Sequence, residues 1–300
     1  MRFFILNECR ENDWAFCEWK KNSIDADIIF RPVPKFLRAV RFFWNKLNLP
    51  LYWIWYSTSW RNKISKYNVI VLHVSALTPS LASYLNKLNP NAKVIAWYWN
   101  CVKISIPPSK LKGNFEVWSF DPDDCKNYGM KFNHQYYFKS FIDSSKMEIL
   151  WDVYFCGGDA GRGEILCDLY NILSEQGLVC KYRIVNPECS RILENQKSSF
   201  IPYNQMISEV KSSRCLIEIV RDGQSGATMR LMEALFNKKK VITTNTSVKS
   251  EPFFNPQNIF IVGERPNSEL FDFVKSDYVN SNESFIEQYD VHKWLEHFVE

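Results

Sequence analysis

Short apolar runs alternate with amphipathic stretches along the whole chain. In the first half the strand-like runs are residues 2–6, 27–30, 68–74, 93–99, 115–120 and 134–138. Apolar side chains with helical spacing cover residues 36–47 and 81–88 between them. Short strands that alternate with helices are typical of a parallel sheet, so this half is predicted to form one α/β domain.

The same alternation starts again in the second half. Its strand-like runs are residues 152–156, 182–185, 215–220, 241–244 and 258–262, and its helical stretches are residues 164–175, 204–212 and 229–236. Two such series predict two doubly wound, Rossmann-like α/β domains.

A polar stretch at residues 143–146 precedes the first strand of the second series. We therefore expect a domain boundary near residue 148, with an N-terminal Rossmann-like domain over 1–148 and a C-terminal one over 149–282. Residues 283–300 carry apolar side chains at a helix-compatible spacing. They are predicted to form a closing helix that packs back toward the N-terminal domain.

Composition narrows the class of protein. The 300 residues are 46% hydrophobic and 23% charged, which is the range of globular proteins and excludes a disordered chain. The net charge of +4 is too small for a nucleic-acid surface over the whole chain, and no nucleic-acid partner is expected. The nine cysteines include no C-x-x-C pair, which favours reduced thiols and a cytoplasmic protein.

The most specific chemical signal opens the second half. The apolar run 151–156 continues into Gly157-Gly158-Asp159-Ala160-Gly161-Arg162-Gly163 and then into a helical pattern. Glycines allow backbone amides to approach a ligand, and the N-terminus of the following helix attracts an anion. Arg162 adds a cation with a bidentate fork. The spacing fits neither the dinucleotide fingerprint nor the P-loop, and a plain strand-to-helix turn remains an alternative.

A second turn-to-helix junction follows the strand 215–220. Here the candidate ligand-binding residues are Gln224, Gly226 and Thr228, and Arg230 and Glu233 share one face of the next helix. An ion pair on a solvated helix face is the alternative for the last two. Both junctions follow parallel strands, whose carboxyl ends form the ligand-binding edge of an open α/β sheet. Arginines for a diphosphate and a carboxylate for ribose hydroxyls predict a sugar-nucleotide site.

These motifs carry a resemblance to a known family. Gly157-Gly158-x-x-Gly161-Arg162 and Gln224-x-Gly226-x-Thr228-x-Arg230-x-x-Glu233-Ala234-Leu235 resemble the GT-B-fold glycosyltransferases of bacterial lipopolysaccharide-core, capsule and exopolysaccharide assembly. The resemblance implies two Rossmann-like domains, a nucleotide-sugar donor in the second half and a glycan acceptor at the first. It also implies catalysis without a cofactor or a metal ion. The family helix carries two glutamates eight positions apart, and Ser225 stands where the first is expected.

The predicted activity is therefore transfer of a hexose or deoxyhexose from a nucleotide sugar to a lipopolysaccharide-core or related cell-surface glycan. Arg162 and Arg230 would stabilise the charge of the departing diphosphate, and Glu233 would bind the ribose. Gly157, Gly158, Gly161, Gln224, Gly226 and Thr228 would line the donor site. The alternative, which Ser225 motivates, is a non-catalytic sugar-nucleotide-binding or membrane-associated partner subunit.

The first half offers several acid or base side chains but no dominant one. An inverting enzyme needs a general base there, and the candidates are Glu8, Asp13, His73 and Asp121. A retaining enzyme needs none, and the second motif is more similar to retaining members. The run Asp121-Pro122-Asp123-Asp124 imitates a metal-binding Asp-x-Asp signature, but it also has the residues of a helix start, which we favour.

Residues 35–66 form a basic and aromatic segment. It contains seven lysines and arginines, no acid and nine of the aromatic side chains. Such a surface suits anionic lipid headgroups, which predicts a protein peripheral to the inner face of the cell membrane with a lipid-linked acceptor. A core helix with solvated cations is the alternative. The aromatic run Trp97-Tyr98-Trp99 could stack on acceptor sugars or belong to the core.

Overall fold

The computed structural model describes residues 1–8, 13–142, 147–185, 196, 198–280 and 284–300. The chain divides into two compact units. Unit 1 comprises Met1–Asn133 together with Phe298–Glu300, and unit 2 comprises His134–His297.

The division falls before the expected boundary near residue 148, and the polar stretch 143–146 lies outside the described residues. Residues just after Asn133 belong to unit 2 because they bond to its last helices. The Tyr137 amide donates to the Tyr289 carbonyl at 2.8 Å, and the Val291 amide donates to the Tyr137 carbonyl at 3.0 Å.

Unit 1 is a six-stranded, wholly parallel sheet in the order β2-β1-β3-β4-β5-β6. Its strands are β1 Phe3–Asn7, β2 Ala26–Ile28, β3 Val69–His73, β4 Lys93–Tyr98, β5 Glu116–Ser119 and β6 Lys131–Phe132. Its helices are α1 Trp14–Lys21, α2 Lys35–Lys46, α3 Thr58–Arg61, α4 Leu81–Leu88 and α5 Pro122–Tyr128. The sequence missed α1, which begins where Asp13 accepts a hydrogen bond from the Ala15 amide at 3.1 Å.

Unit 2 is a five-stranded parallel sheet in the order β11-β10-β9-β7-β8. Its strands are β7 Trp151–Gly158, β8 Cys180–Val185, β9 Ser213–Glu218, β10 Lys240–Thr243 and β11 Ile259–Ile261. Its described helices are α6 Gly163–Glu175, α7 Tyr203–Lys211, α8 Met229–Phe236, α9 Leu270–Lys275, α10 Ser284–Gln288 and α11 Val291–His297. The prediction of two Rossmann-like α/β folds is confirmed.

Alternating side chains of the unit 2 strands enter two separate cores. Val153 and Phe155 of β7 pack on one face of the sheet, and Tyr154 packs on the other. Helices cover both faces, which is why β7 is apolar at the consecutive positions 153–156. A parallel sheet buried in this way leaves its carboxyl edge as the accessible place for a ligand.

Two sequence predictions about secondary structure were wrong. Residues 134–138, all of them described, form no strand; Tyr137 makes an isolated bridge with Asp290, and Tyr136 packs on Trp294 with ring centroids 4.1 Å apart. The closing segment is two short helices rather than one. The break comes where Asp290 accepts from the His292 amide at 3.0 Å and the chain enters α11.

Two aromatic residues of the run that starts at Trp97 belong to the core. Trp97 and Tyr98 are fully buried, and Trp97 packs edge-on against Phe298. Trp99 is half-buried and stacks on the His73 ring with centroids 5.0 Å apart. In the described ranges we find no helix that combines the length and the apolar character needed to cross a bilayer.

Candidate functional site

The two turn-to-helix junctions of unit 2 lie side by side. Strands β7 and β9 are parallel neighbours, so their carboxyl ends meet at one edge. Arg162, after β7, donates from Nη1 to the Ile219 carbonyl after β9 at 2.9 Å. Arg230 of α8 donates from Nη2 to the Cys156 carbonyl of β7 at 2.6 Å. The juxtaposition that the sequence predicted is therefore present, and both arginines help to fix it.

The first junction is a tight turn with two left-handed residues. Ala160 has φ +50° and Gly161 has φ +78°, and the Arg162 amide closes the turn by donating to the Asp159 carbonyl at 3.0 Å. The same amide lies 3.0 Å from the Asp159 carboxylate. A glycine meets the backbone requirement at no cost, whereas Ala160 is strained. Such strain is typical of functional sites.

The Arg162 guanidinium anchors this turn. Nε donates to the Asp159 carbonyl at 2.9 Å, Nη2 donates to the Gly158 carbonyl, and the group lies 5.7 Å from the centre of the Phe155 ring. Burial, followed by the neighbouring charge of Arg221, lowers the pKa of Arg162. A guanidinium has five N–H donors, so three bonds to carbonyls leave donors at this edge.

Gly157 lies close to the Phe155 ring. A Cβ at this position would lie 3.3 Å from that ring, which is tight, and 3.5 Å from Arg162 Nη2, which is an ordinary contact. A Cβ at Gly158 or Gly161 would meet no tight contact, so the requirement for glycine at 161 comes from its φ of +78°.

Glu218 organises the second junction, and the sequence did not single it out. This buried carboxylate, at the end of β9, accepts from the hydroxyl of Thr228 and from that of Thr243 at 2.6 Å. Burial raises the pKa of Glu218, and the two threonine hydroxyls oppose that rise. Its signal in the sequence was a single acid inside the otherwise apolar run 215–220.

Thr228 connects this anchor to helix α8. Its Oγ1 accepts from the Arg230 amide at 3.1 Å, which caps the helix. The loop before it is held by Asn245, whose amide nitrogen lies 3.3 Å from the Ser225 carbonyl and 3.5 Å from that of Gly226. Gln224 follows Gly223, which has φ +80°. The predicted loop residues thus sit in a fixed backbone at the β9 edge.

Arg230 and Glu233 form a largely buried ion pair, with 15% of the Arg230 side chain and 4% of the Glu233 side chain exposed. Arg230 Nη1 lies 2.5 Å from Glu233 Oε2, and the Tyr203 hydroxyl donates to Oε1 at 3.0 Å. The Tyr203 hydroxyl also lies 2.9 Å from that of Tyr137. Burial raises the pKa of Glu233, while Arg230 and Tyr203 favour its carboxylate. The pair holds α8 against β7, and direct contact with a ligand stays a prediction for both residues.

The four candidate bases of unit 1 have local structural partners. Asp13 caps α1, and Asp121 caps α5 by accepting from the Asp124 amide at 3.0 Å, which confirms the predicted helix start. Glu8 accepts from the Ser75 hydroxyl at 2.7 Å. His73 contacts Asn7 at 3.0 Å, and burial lowers its pKa to about 3, so it is neutral at pH 7.

The described side chains were compared with the requirements of a metal site. No group of three His, Cys, Asp or Glu residues within them is placed to hold a metal ion. Metal-independent catalysis stays a prediction.

Comparison with known proteins gives structural matches. No protein-family model matches the chain, and no curated protein matches its sequence. Among solved structures, Anabaena HepE in complex with UDP and glucose aligns with a TM-score of 0.62 and 8% identity, over 100% of this chain and 98% of that one.

Two further solved structures are similar over nearly the whole chain. The lipopolysaccharide outer core galactosyltransferase WaaB aligns with a TM-score of 0.54 and 11% identity, over 100% of this chain and 98% of its own. The phage T4 β-glucosyltransferase aligns with a TM-score of 0.55 and 11% identity, over 99% and 98%. At such low identity these likenesses establish architecture, and the chain has the two-domain fold of the GT-B glycosyltransferases.

Proposed function

We propose that this protein transfers a sugar from a nucleoside-diphosphate sugar to a cell-surface glycan. The observation that carries the proposal is the convergence of two turn-to-helix junctions on the carboxyl edge of the unit 2 sheet, linked through Arg162 and Ile219. The amides of the first turn and the N-terminus of α6 would bind the diphosphate. The remaining donors of Arg162 would stabilise the charge that builds up on it as the sugar leaves.

We propose two roles for the predicted site residues. Arg162 and the loop glycines lie at the open edge, where they would contact the donor. Glu233 is buried and the Arg230 side chain is 15% exposed. We propose that the two act mainly by holding α8 and its N-terminal loop in position; a ribose contact of Glu233 would use a remaining lone pair of its carboxylate.

The names of the structural neighbours support this donor class. HepE was crystallised with UDP and glucose, and the T4 enzyme was crystallised with its UDP-glucose substrate. WaaB acts on the lipopolysaccharide outer core. A lipopolysaccharide-core or related glycan, transfer without a metal or cofactor, and a place at the inner face of the membrane are the finer parts of our proposal.

Helix α2 supports the membrane part. No residue of this helix is buried, and Phe36, Val40, Phe43 and Leu47 follow one another at spacings of four, three and four residues along one side. Phe36 is 67% exposed and Phe43 is 56% exposed, so the described residues of unit 1 leave more than half of each side chain uncovered. An apolar stripe of this kind in a helix rich in lysine and arginine favours the interface of an anionic bilayer.

The cations of α2 differ in their availability. Lys35, Arg38 and Lys46 are exposed, whereas the guanidinium of Arg41 lies 3.9 Å from the centre of the Phe30 ring and is half-buried.

Replacing Phe36 and Phe43 by serine should abolish binding to anionic vesicles, and Lys126→Glu on α5 should leave it unchanged. Wild-type binding to duplex DNA with none to vesicles would contradict a membrane role.

Calorimetric titration of the full chain with UDP, GDP, CDP and ADP tests the donor site. We expect one nucleotide to bind, and Arg162→Gln to weaken it at least about tenfold, or about 1.4 kcal/mol. Arg214→Gln is the matched control because Arg214 lies near the opposite end of β9, where it pairs with Asp152. Equal binding by the two variants, or no binding of any nucleotide, would contradict the proposed site.

Turnover separates the enzyme from the non-catalytic alternative. Both would bind a nucleotide, but only the enzyme would release free nucleoside diphosphate from a sugar nucleotide when acceptor glycan is added. Binding without any release would favour the partner-subunit role that Ser225 motivates.

A further inference from the structure

Unit 1 contains a cavity that the donor site does not include. It has a volume of about 270 Å³ and lies between the C-terminal end of α2, the turn that follows it, and helix α4. Small-molecule sites usually span ~300–1,000 Å³, so this cavity suits a ligand of about one sugar ring. We call it the α2–α4 pocket.

Five aromatic residues line the pocket: Trp44, Tyr52, Trp53, Tyr56 and Tyr84. The face of an aromatic ring carries negative potential and attracts the weakly positive C–H groups of a sugar ring. The amides of Asn45 and Asn48 and the hydroxyls of Ser80 and Ser83 add polar groups to the pocket lining. Aromatic faces combined with amides and hydroxyls are the chemistry that recognises carbohydrate.

Two of the tyrosine hydroxyls have no partner among the described residues. Tyr56 is 2% exposed and Tyr52 is half-buried, and the oxygen of each is buried without a hydrogen bond. A buried hydroxyl left without a hydrogen bond destabilises the folded protein. The hydroxyl of Tyr84, by contrast, accepts from Arg61 Nη1 at 3.3 Å. Two unpaired groups in one small cavity indicate that a ligand completes it.

The charge of the pocket has one sign. Lys87 and Lys112 belong to its exposed lining, and no Asp or Glu is among its described lining residues. The guanidinium of Arg61 lies 5.6 Å from the centre of the Trp53 ring, beside the same wall. The pocket therefore favours a ligand with a negative group.

The wall between α2 and the next turn is held in an unfavourable backbone conformation. Leu51 has φ +61°, a left-handed conformation that a leucine rarely adopts. Asn48, with φ +50°, lies just after α2, where asparagine adopts this conformation readily. Trp44 fixes this turn by donating from Nε1 to the Pro50 carbonyl at 2.9 Å. Strained residues persist only where the surrounding contacts enforce them, and they concentrate at ligand sites.

We propose that the α2–α4 pocket binds a single sugar residue that carries a carboxylate or phosphate group. The sugar ring stacks on the aromatic wall, its hydroxyls pair with Tyr52 and Tyr56, and its anionic group faces Lys87 and Lys112. This site does not depend on nucleotide binding by unit 2.

The full chain is titrated with glucuronic acid, glucose-6-phosphate, glucose and inorganic phosphate. Binding of each compound is measured by saturation-transfer NMR and by tryptophan fluorescence. We expect a charged sugar to bind saturably and at least about tenfold more tightly than glucose or phosphate. UDP should not displace it. No saturable binding, equal affinity for glucose, equal affinity for phosphate, or displacement by UDP would each overturn the proposal.

Two variants, one double and one single, separate ligand recognition from folding. The double change Tyr52→Phe and Tyr56→Phe should weaken sugar binding at least about fivefold without lowering the free energy of unfolding, because it removes only unpaired hydroxyls. Lys87→Gln should reduce the preference for charged sugars. Tyr128→Phe and Lys126→Gln on α5 are the matched controls. Wild-type affinity in the tyrosine and lysine variants would place the ligand elsewhere and overturn the assignment.

The same samples keep this proposal distinct from the donor site. Sugar binding without nucleotide binding would contradict only the proposed transferase activity. Nucleotide binding without sugar binding would contradict only the α2–α4 pocket.

Discussion

Two single residues, the buried carboxylates Glu218 and Glu233, hold the candidate donor site in place. Glu218 fixes Thr228 and Thr243, and Glu233 fixes Arg230 and Tyr203. A carboxylate inside a protein is costly unless hydrogen bonds or a cation satisfy it, and both of these are satisfied. Their contribution to function is therefore to position the backbone that would meet the ligand.

Replacing Glu218 by glutamine should loosen the second junction. Glutamine has one acceptor oxygen where the carboxylate has two, so one threonine hydroxyl loses its partner. We expect a loss of about 1–3 kcal/mol in the free energy of unfolding by urea, together with weaker nucleotide binding. Glu175→Gln at the exposed end of α6 is the control. Unchanged stability in Glu218→Gln would show that these hydrogen bonds contribute nothing net.

Removing Arg230 should destabilise unit 2 rather than act only on a ligand. Arg230→Ala leaves Glu233 buried without its cation, which costs about 3–5 kcal/mol. The double variant Arg230→Met with Glu233→Gln should recover part of that loss, and a double-mutant cycle from urea unfolding measures the coupling. A variant Arg230→Ala with wild-type stability but no nucleotide binding would instead support the direct ligand role predicted from the sequence.

At the scale of elements, the turn between β7 and α6 combines strain with exposure. Gly161 has φ +78° and open space around it, so any side chain there fits but forces an unfavourable backbone. The C-terminal end of the same helix has a matching residue, since Gly177 has φ +79° and is equally open. Helix α6 thus has a left-handed glycine at each end, one at the candidate site and one away from it.

Valine at either glycine should cost about 1–2 kcal/mol of unfolding free energy. Only Gly161→Val should also weaken nucleotide binding, because only that turn lies at the β7 edge. Thermal unfolding and calorimetric titration of the two variants make the comparison. Equal nucleotide affinities would mean that the turn has a purely structural role.

For the molecule as a whole, the stability should depend on pH because His73 is buried in its neutral form. Burial lowers the pKa of His73 to about 3, whereas an unfolded histidine titrates near 6.5. Between these values the unfolded chain binds more protons than the folded one, so stability is fully present above pH ~6.5 and falls as the pH drops toward 3.

Between pH 7 and pH 5 this histidine alone should remove about 2 kcal/mol of stability. Urea unfolding at both pH values checks it, and His73→Gln should show a smaller loss than the wild type. His292→Gln, at an exposed position, is the control. An identical pH dependence in wild type and His73→Gln would contradict the buried neutral state.

The α/β class, ten of the eleven strands in the described residues and the two glycine turns could be predicted from the sequence alone. Those features depend on local patterns, namely alternating apolar runs and residues with special backbone freedom. The sequence missed α1, which at eight residues is too short to show a helical period. It misassigned residues 134–138, whose aromatic side chains suit a strand, but Tyr136 packs on Trp294 instead.

Which polar side chains are buried, and which partners they bind, becomes known from the tertiary structure. Arg230 and Glu233 have the same sequence spacing whether they lie on a solvated face or inside a core, and Glu218 has no motif around it. The α2–α4 pocket joins residues from both sides of β3, which are distant in the chain. Burial and partnership depend on contacts between remote segments, and no local pattern of residues contains that information.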